Sequence, residues 1–245
     1  MSAVSELVDY VATGANWEGR NGITRAVVDH VRLSGFSVAV AAAFAVPLAV
    51  VLGHVRRGGV VAVAVVNIGR AIPTFAIVAL ALPFSLRWGF GLGFWPSAVA
   101  LVLLAIPPIF TNTYTGVRDV DPGVVESARG MGMRGSEVLT RAELPNALPL
   151  ILTGLRVSAV QVVATATLAA LVGYGGLGSL VVRGMSQRDD GKLLTGALLV
   201  ALLAVVTELL FGVVERRASP WLGRRRRRAP GVPTTLQPDP ASVIA

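Results

Sequence analysis

Cysteine is absent from the 245-residue chain, so neither a disulfide nor a thiolate metal site is open to it, and this says nothing about redox compartment. Charge is scarce too. Only 15% of residues are charged, and no acidic residue occurs between His30 and Asp119. There are two histidines and no G-x-x-x-x-G-K-[ST] phosphate cradle. The apolar segments hold no Ser–His set and no facing pair of carboxylates. These absences leave no nucleotide engine in the chain and argue against hydrolytic chemistry or a carboxylate proton relay. The N-terminal stretch also lacks a basic start, a long apolar core and a small-residue cleavage site, so no removable signal peptide is expected.

What remains is apolar. Glycine, alanine, valine and leucine dominate and the mean hydropathy is +0.68, the composition of an integral membrane protein. Much of the net charge of +8 sits in Arg216, Arg217 and the run Arg224 to Arg228, directly after the last apolar segment. Basic residues placed there hold a membrane protein's cytoplasmic end. Nucleic-acid binding is the rival reading, disfavoured by the adjoining span and the lack of interleaved aromatics.

A bilayer core of about 30 Å needs roughly 20 apolar residues in a helix. Five spans follow, near Leu33 to Gly53, Val60 to Phe84, Leu92 to Thr113, Pro149 to Leu171 and Leu193 to Val214, giving an all-α polytopic membrane helix bundle. The second is interrupted by Asn67, Gly69, Arg70 and Pro73, so it is either a kinked helix or two pieces. Residues 1–32 form an extracytoplasmic interfacial segment in this reading. Val4, Leu7, Val8 and Val11, then Ile23, Val27, Val28 and Val31, recur at helical spacing and predict short helices lying on the membrane surface. Residues 33–216 form the membrane domain, and 217–245 a basic, proline-rich, disordered cytoplasmic tail. With five spans, arginine placement puts the N-terminus outside. Arg56, Arg57, Arg118, Arg129, Arg134, Arg141 and the C-terminus then lie inside.

One polar segment, 117–148, interrupts the apolar runs. Asp121-Pro122 is a helix start, because an Asp side chain accepts from an orphan N–H and Pro at the first position forfeits no bond. The helix is expected to run to about Arg129, with Gly130 and Gly132 breaking it. Ser136 then caps a second short helix that stops near Leu144, since the residue before Pro145 resists the helical region. The product is a helix-turn-helix finger, with Val125, Ala128, Met131, Met133, Val138 and Leu139 as apolar knobs for a partner's groove. The bland reading is an ordinary loop.

Other polar residues lie within the spans. Gly154, Ser158, Gln161 and Thr165 share one face of the fourth, where they either line a pathway or let helices pack closely. Arg70 lies near mid-depth, poised either to hold a substrate carboxylate or to bond carbonyls freed by Pro73. Arg156 is expected to snorkel toward an interface, and Glu208 to pair with an arginine.

The order Glu126-Ser127-Ala128, three residues, Gly132, nine residues, Ala142, one residue, Leu144-Pro145 resembles the signature loop of ATP-binding-cassette importer permeases. Other stretches look like the osmoprotectant branch of these permeases, with its MetI-like fold. They are Pro47-Leu48, Ile72 to Ala76, Pro107-Pro108, Asn112 to Gly116, Gly154-Leu155-Arg156 and Gly173 to Gly178. The resemblance covers roughly residues 30–216. Ser127 stands where the family usually has alanine, and Ala142 where a larger aliphatic is common.

The resemblance implies a permease subunit, not an enzyme, importing quaternary-amine osmoprotectants such as glycine betaine, choline, carnitine or proline. Cytoplasmic ABC ATPases would grip Glu126, Ser127, Ala128, Gly132, Leu144 and Pro145. An extracytoplasmic binding protein would deliver substrate, and a second copy or sister permease would complete the path. ATP and Mg would be bound by the ATPase, leaving this chain with no cofactor, metal or catalytic residue. Gly173, Gly175, Gly176 and Gly178 formally match G-x-G-x-x-G. No strand or nucleotide-binding domain surrounds them, and by resemblance they form an outer gate loop. The aromatics are few and form no cluster resembling a quaternary-ammonium cage, so selection would fall to the binding protein. Alternatives are a permease for methionine or another amino acid, an ion-coupled secondary transporter, and a membrane enzyme.

Overall fold

The computed structural model describes residues 3–56 and 58–218, and every regular element among them is helical. Arg57, the arginine run 224–228 and the proline-rich tail lie outside the described residues. Helix α1 spans Ala3–Ala12, α2 Ile23–Val55, α3 Gly59–Ile68, α4 Thr74–Arg87 and α5 Phe94–Arg118. Then come α6 Pro122–Gly130, α7 Gly135–Val138, α8 Leu144–Thr165, α9 Leu177–Gln187 and α10 Asp190–Ala218.

The bundle is built around α5, which packs on α2 along one side and on α8 along the other. Its partners present small residues at helical spacing. On α2 the buried stripe includes Ala41, Ala45, Ala49 and Gly53, and a Cβ on Gly53 would stand 2.9 Å from the Val117 Cβ. On α8 a Cβ at Gly154 would come within 2.9 Å of the Pro108 carbonyl. One turn on, the Ser158 hydroxyl donates to the Ala105 carbonyl at 3.2 Å. Between apolar helices in lipid, hydrophobic drive is weak. Close approach through small residues and interhelical hydrogen bonds is what holds them.

Leu33, Leu101, Ile109 and Phe110 fill the core between these contacts, and many other large apolar side chains point outward. Leu198, Leu202, Val205, Leu209 and Val213 of α10 are exposed, and that helix buries only Gly191, Thr195 and Gly196 at its start. An apolar surface this extensive is one for lipid or for another membrane helix. Among the described residues four helices have the length and composition to cross a bilayer, and the bent pair Val61–Ala71 with Thr74–Arg87 makes five.

The structure departs from the sequence reading at several places. Residues Ile23 to Val31 are not a separate surface helix but the first turns of α2. A boundary at 32/33 therefore falls inside a helix. Nothing between Ile23 and Val55 stops the chain, and Arg56, in the left-handed region at φ 57°, is the terminator. At about 1.5 Å per residue the 33-residue α2 is roughly 50 Å long, more than a bilayer core requires. Of the two readings open for the second span, the structure has the two pieces, helices meeting at 85° with Arg70 in the 3₁₀ turn at the corner before Pro73. Helix α9 falls within a stretch read as loop.

Gly154→Ala is expected to overpack the α5–α8 contact, at a cost of about 1–3 kcal/mol. It should lower the apparent melting temperature of the detergent-solubilised chain. Gly212→Ala on α10, where an added Cβ meets nothing within 4 Å, is the matched substitution and should not lower it.

Candidate functional site

The finger begins as its residues dictate. The Asp121 carboxylate accepts the Gly123 N–H at 2.8 Å and Pro122 takes the first helical position. After α6 the chain turns at Gly132, whose φ of 83° suits glycine and whose surroundings are open. The second helix starts two residues earlier than a Ser136 cap would have it. Arg134 is the capping residue, and its N–H donates to the Glu137 carboxylate at 2.9 Å.

Helix α7 does not end before Pro145. It widens into a π turn, Leu139–Glu143, and continues as α8, so that 135–172 run as one helical rod. Proline lacks the N–H that a regular α turn would use, and its ring crowds the carbonyl four residues back. A wider turn directly before it relieves both demands. The expected stop at Leu144 is thereby overturned.

Val120, Val125, Ala128, Val138 and Ala142 are buried against one another as the finger's own core. Val125, Ala128 and Val138, read from sequence as knobs for a partner, are thus spent internally. The small side chain at Ala142 belongs to that packing. The outward face carries Glu126, Ser127 and Val124, with Met131 exposed at 72%. A shallow groove of about 570 Å³ runs from Val124 and Ser127 past Met131 to Arg141 and Asn146. Pro145 is exposed beside it. Leu144 packs inward against the Val117, Ala147 and Ile151 cluster that joins the finger to the bundle.

A contact with no trace in the residue pattern secures this junction. Glu143, 1% exposed within the π turn, accepts a hydrogen bond from Nδ1 of His54 at 2.5 Å. His54 closes α2, 89 residues away. Its Nε2 faces Gly135, where an added Cβ would be 3.7 Å distant. One imidazole therefore ties the end of α2 to the base of α8 and lies beside the start of α7. On the opposite flank, Arg118 donates to the Tyr114 hydroxyl at 3.0 Å at the end of α5.

The far end of the bundle has a counterpart. His30 Nε2 lies 2.9 Å from the Val163 carbonyl, and its Nδ1 accepts the Leu177 N–H at 3.3 Å. Only the neutral imidazole, donating at Nε2, serves both. The Tyr174 hydroxyl donates to the Asp29 carbonyl at 3.0 Å. Burial, and then the Asp29 charge, push that phenol above its usual range, which keeps it a donor.

The four loop glycines divide by role. Gly173 and Gly176 have φ of 82° and 77°, a Cβ on Gly175 would sit 3.1 Å from Asp29 Oδ2, and one on Gly178 would collide with the Thr167 carbonyl. Phe36, Trp88, Phe90, Phe94, Trp95 and Tyr174 also gather here. Neighbouring ring centroids in this chain of contacts are 5.3–6.4 Å apart. The rings meet tilted and edge-on against one another.

Within the spans, Gly154 and Ser158 serve helix packing. Gln161 and Thr165, further along the same face, are half-buried. Arg70 is exposed and without an ion pair among the described residues. Arg156 does not simply snorkel. It bridges Glu208 at 3.6 Å and Glu215 at 3.2 Å, tying α8 to α10.

A polytopic bundle of apolar helices with a helical finger set between its central helices is the architecture shared by membrane transport subunits, and the family match bears this out. Residues 45–220 match the family described as the binding-protein-dependent transport system inner membrane component, and the chain belongs to it. It is 35% identical to the carnitine transport permease protein OpuCB of Listeria monocytogenes, over 90% of this chain and 98% of that protein. It is 36% identical to the choline transport system permease protein OpuBB of Bacillus subtilis, over 78% and 86%. To the osmoprotectant import permease protein OsmW of Salmonella typhimurium it is 34% identical, over 74% and 84%. The solved inward-facing MetNI methionine ABC transporter shares the fold at a TM-score of 0.69 and 23% identity, over 80% of this chain and 95% of that one.

His54→Ala leaves the buried Glu143 carboxylate without its donor, a loss of at least about 1–3 kcal/mol locally. Amide hydrogen exchange over residues 135–147 should quicken by roughly tenfold or more, with α5 and α10 unchanged. Equal exchange in wild type and variant would show that the finger base does not depend on this bond.

Proposed function

We propose that this chain is the membrane-spanning subunit of an ATP-driven importer for quaternary-amine osmoprotectants such as carnitine, choline, glycine betaine or proline. The observation that carries the proposal is the finger. Its outer face offers Glu126, Ser127 and Gly132 to a partner, and its second helix continues without a break into α8. The relatives of known substrate, which align over most of their lengths, supply the substrate class.

In this reading the finger end is cytoplasmic and the N-terminus lies outside, as the placement of Arg56, Arg118, Arg129 and Arg134 favours. Two ATPases, which bind ATP and Mg, seat against two fingers. A second copy or a sister permease completes the path, and an external binding protein delivers substrate at the far end. ATP-driven closure of the ATPases brings the fingers together and turns the path outward, and hydrolysis resets it. The permease chain breaks no bond and holds no cofactor. Arg70, Gln161 and Thr165 are the pathway candidates, Ser158 being committed to α5. The loop from Gly173 to Gly178 gates the outer end by releasing its hold on His30 and Asp29.

Proteoliposomes holding the permease, its ATPase and its binding protein should take up radiolabelled carnitine or choline only with ATP inside. Uptake should survive a proton ionophore. Gly132→Asp should leave the fold intact, by melting temperature, while cutting uptake at least tenfold and releasing the ATPase on co-purification. Ionophore-sensitive, ATP-independent uptake would mean an ion-coupled carrier instead.

Arg70→Gln should weaken uptake of carnitine, which has a carboxylate, more than uptake of choline, which has none. Equal effects on both would remove Arg70 from substrate contact.

Because the chain has no cysteine, Ser127→Cys provides a unique label. A membrane-impermeant maleimide should reach it in inside-out vesicles and not in right-side-out ones.

A further inference from the structure

The far end carries arginines that the fold leaves unmatched. Arg183 on α9 is half-buried, with Nε donating to the Ser179 carbonyl at 3.0 Å and Nη2 to the Ser179 hydroxyl at 2.9 Å. That hydroxyl spends its own proton on the Gly176 carbonyl at 2.8 Å. Three of the five guanidinium N–H groups are left over, and no carboxylate pairs with Arg183 among the described residues. Arg183 lines a cleft of about 270 Å³ together with Arg20 and Arg25 from the approach to α2, and with Tyr174. The only carboxylate in the lining is Asp29, which Arg25 already holds at 3.1 Å. Arg20, like Arg183, has no ion pair among the described residues. The cleft thus carries uncompensated positive charge in a partly desolvated setting, where an anion that accepts several hydrogen bonds is favoured.

Depth in the membrane identifies the anion. Helix α1 beside the cleft exposes Val4 and Val8, at 69% and 55%, and Val11, along one stripe, while Tyr10 and Glu6 on its other side meet Gly191 of α10. A helix with an apolar stripe turned away from the protein, set against the start of a spanning helix, lies in the bilayer interface. Trp17 follows it, its indole N–H bound to the Val11 carbonyl at 2.8 Å. Trp88 and Trp95 are exposed at this same end, forming the belt that marks headgroup depth. The anion concentrated at that depth is lipid phosphate, and Arg matches phosphate oxygens in fork geometry.

We infer that the Arg20–Arg25–Arg183 cleft is a binding site for the phosphate of an anionic lipid headgroup in the leaflet opposite the finger. The site anchors the N-terminal segment to α9. The assignment is independent of which solute is carried and of which leaflet is external.

The test uses the full chain in detergent, titrated with short-chain phosphatidylglycerol, with phosphatidylcholine of the same chain length, and with glycerol phosphate. Binding is read by native mass spectrometry and by the shift in melting temperature. Phosphatidylglycerol should bind saturably, and Arg183→Gln and Arg20→Gln should each weaken it by about tenfold, the loss of one charge-assisted hydrogen bond. Arg183→Lys should lie between them and wild type, guarding against a variant that merely misfolds. Arg87→Gln, an exposed arginine at the same end but outside the cleft, should change nothing. Equal binding of the two lipids, or indifference to the cleft substitutions, would overturn the proposal. Glycerol phosphate binding as tightly as the lipid would also overturn it, by making the site one for a soluble phosphate ester.

Discussion

A proline that cannot complete a helical turn sits where the finger meets the membrane bundle, and the chain solves the problem without breaking. The π turn at Leu139–Glu143 absorbs the missing donor of Pro145. Widening the turn places Glu143 in the interior, and a buried carboxylate must have a donor. His54 supplies it from the end of α2. Finger, α8 and α2 are in consequence one mechanical unit. Under the proposed function, a loop hinged at Pro145 would dissipate a push from a partner, whereas a rod pinned at its base would pass it on to α8 and, through Gly154 and Ser158, to α5.

The same device appears at the far end with other partners. His30 joins α2 to the end of α8 and the start of α9 through both ring nitrogens, and both histidines of the chain are thus spent on clamping α2, one near each end. Along a bundle whose close helix contacts run through small residues, interhelical hydrogen bonds and the Arg156 ion pairs supply specific ties. Where those ties are placed decides which parts move together. At the far end Gly175 sits against the Asp29 carboxylate, Gly176 against His30 and Gly178 against the Thr167 backbone. Gating there, under the proposed function, requires exchanging the His30 and Tyr174 contacts for others rather than simple loop flexing.

Much of this was legible in the residues. Hydropathy alone gives an all-α membrane bundle, and Asp121-Pro122 with Gly132 gives the first half of the finger and its turn. The pairing of Glu208 with an arginine follows from the cost of a lone carboxylate in a span. What the sequence hid was long-range or compensatory. Glu143 and His54 are 89 residues apart and neither belongs to a periodic pattern. Pro145 reads as a stop because local propensity cannot foresee a π turn upstream. Ile23 to Val31 looks amphipathic because one side of α2's first turns packs on α9 and the other does not. The aromatics at positions 36, 88–95 and 174 meet only once α2, α5 and the α9 loop are assembled.

The central claim is that the finger and α8 move as one body. Its most direct test is an electron spin–spin distance between labels at Ser136→Cys and Val157→Cys, both exposed sites in a chain free of other cysteines, in the complex with its ATPase. The account predicts a single narrow distribution near about 30 Å, set by the helical rise, that is the same with and without bound ATP analogue. A distribution that broadens or shifts by several ångströms on nucleotide binding would show a hinge at Pro145 and contradict it.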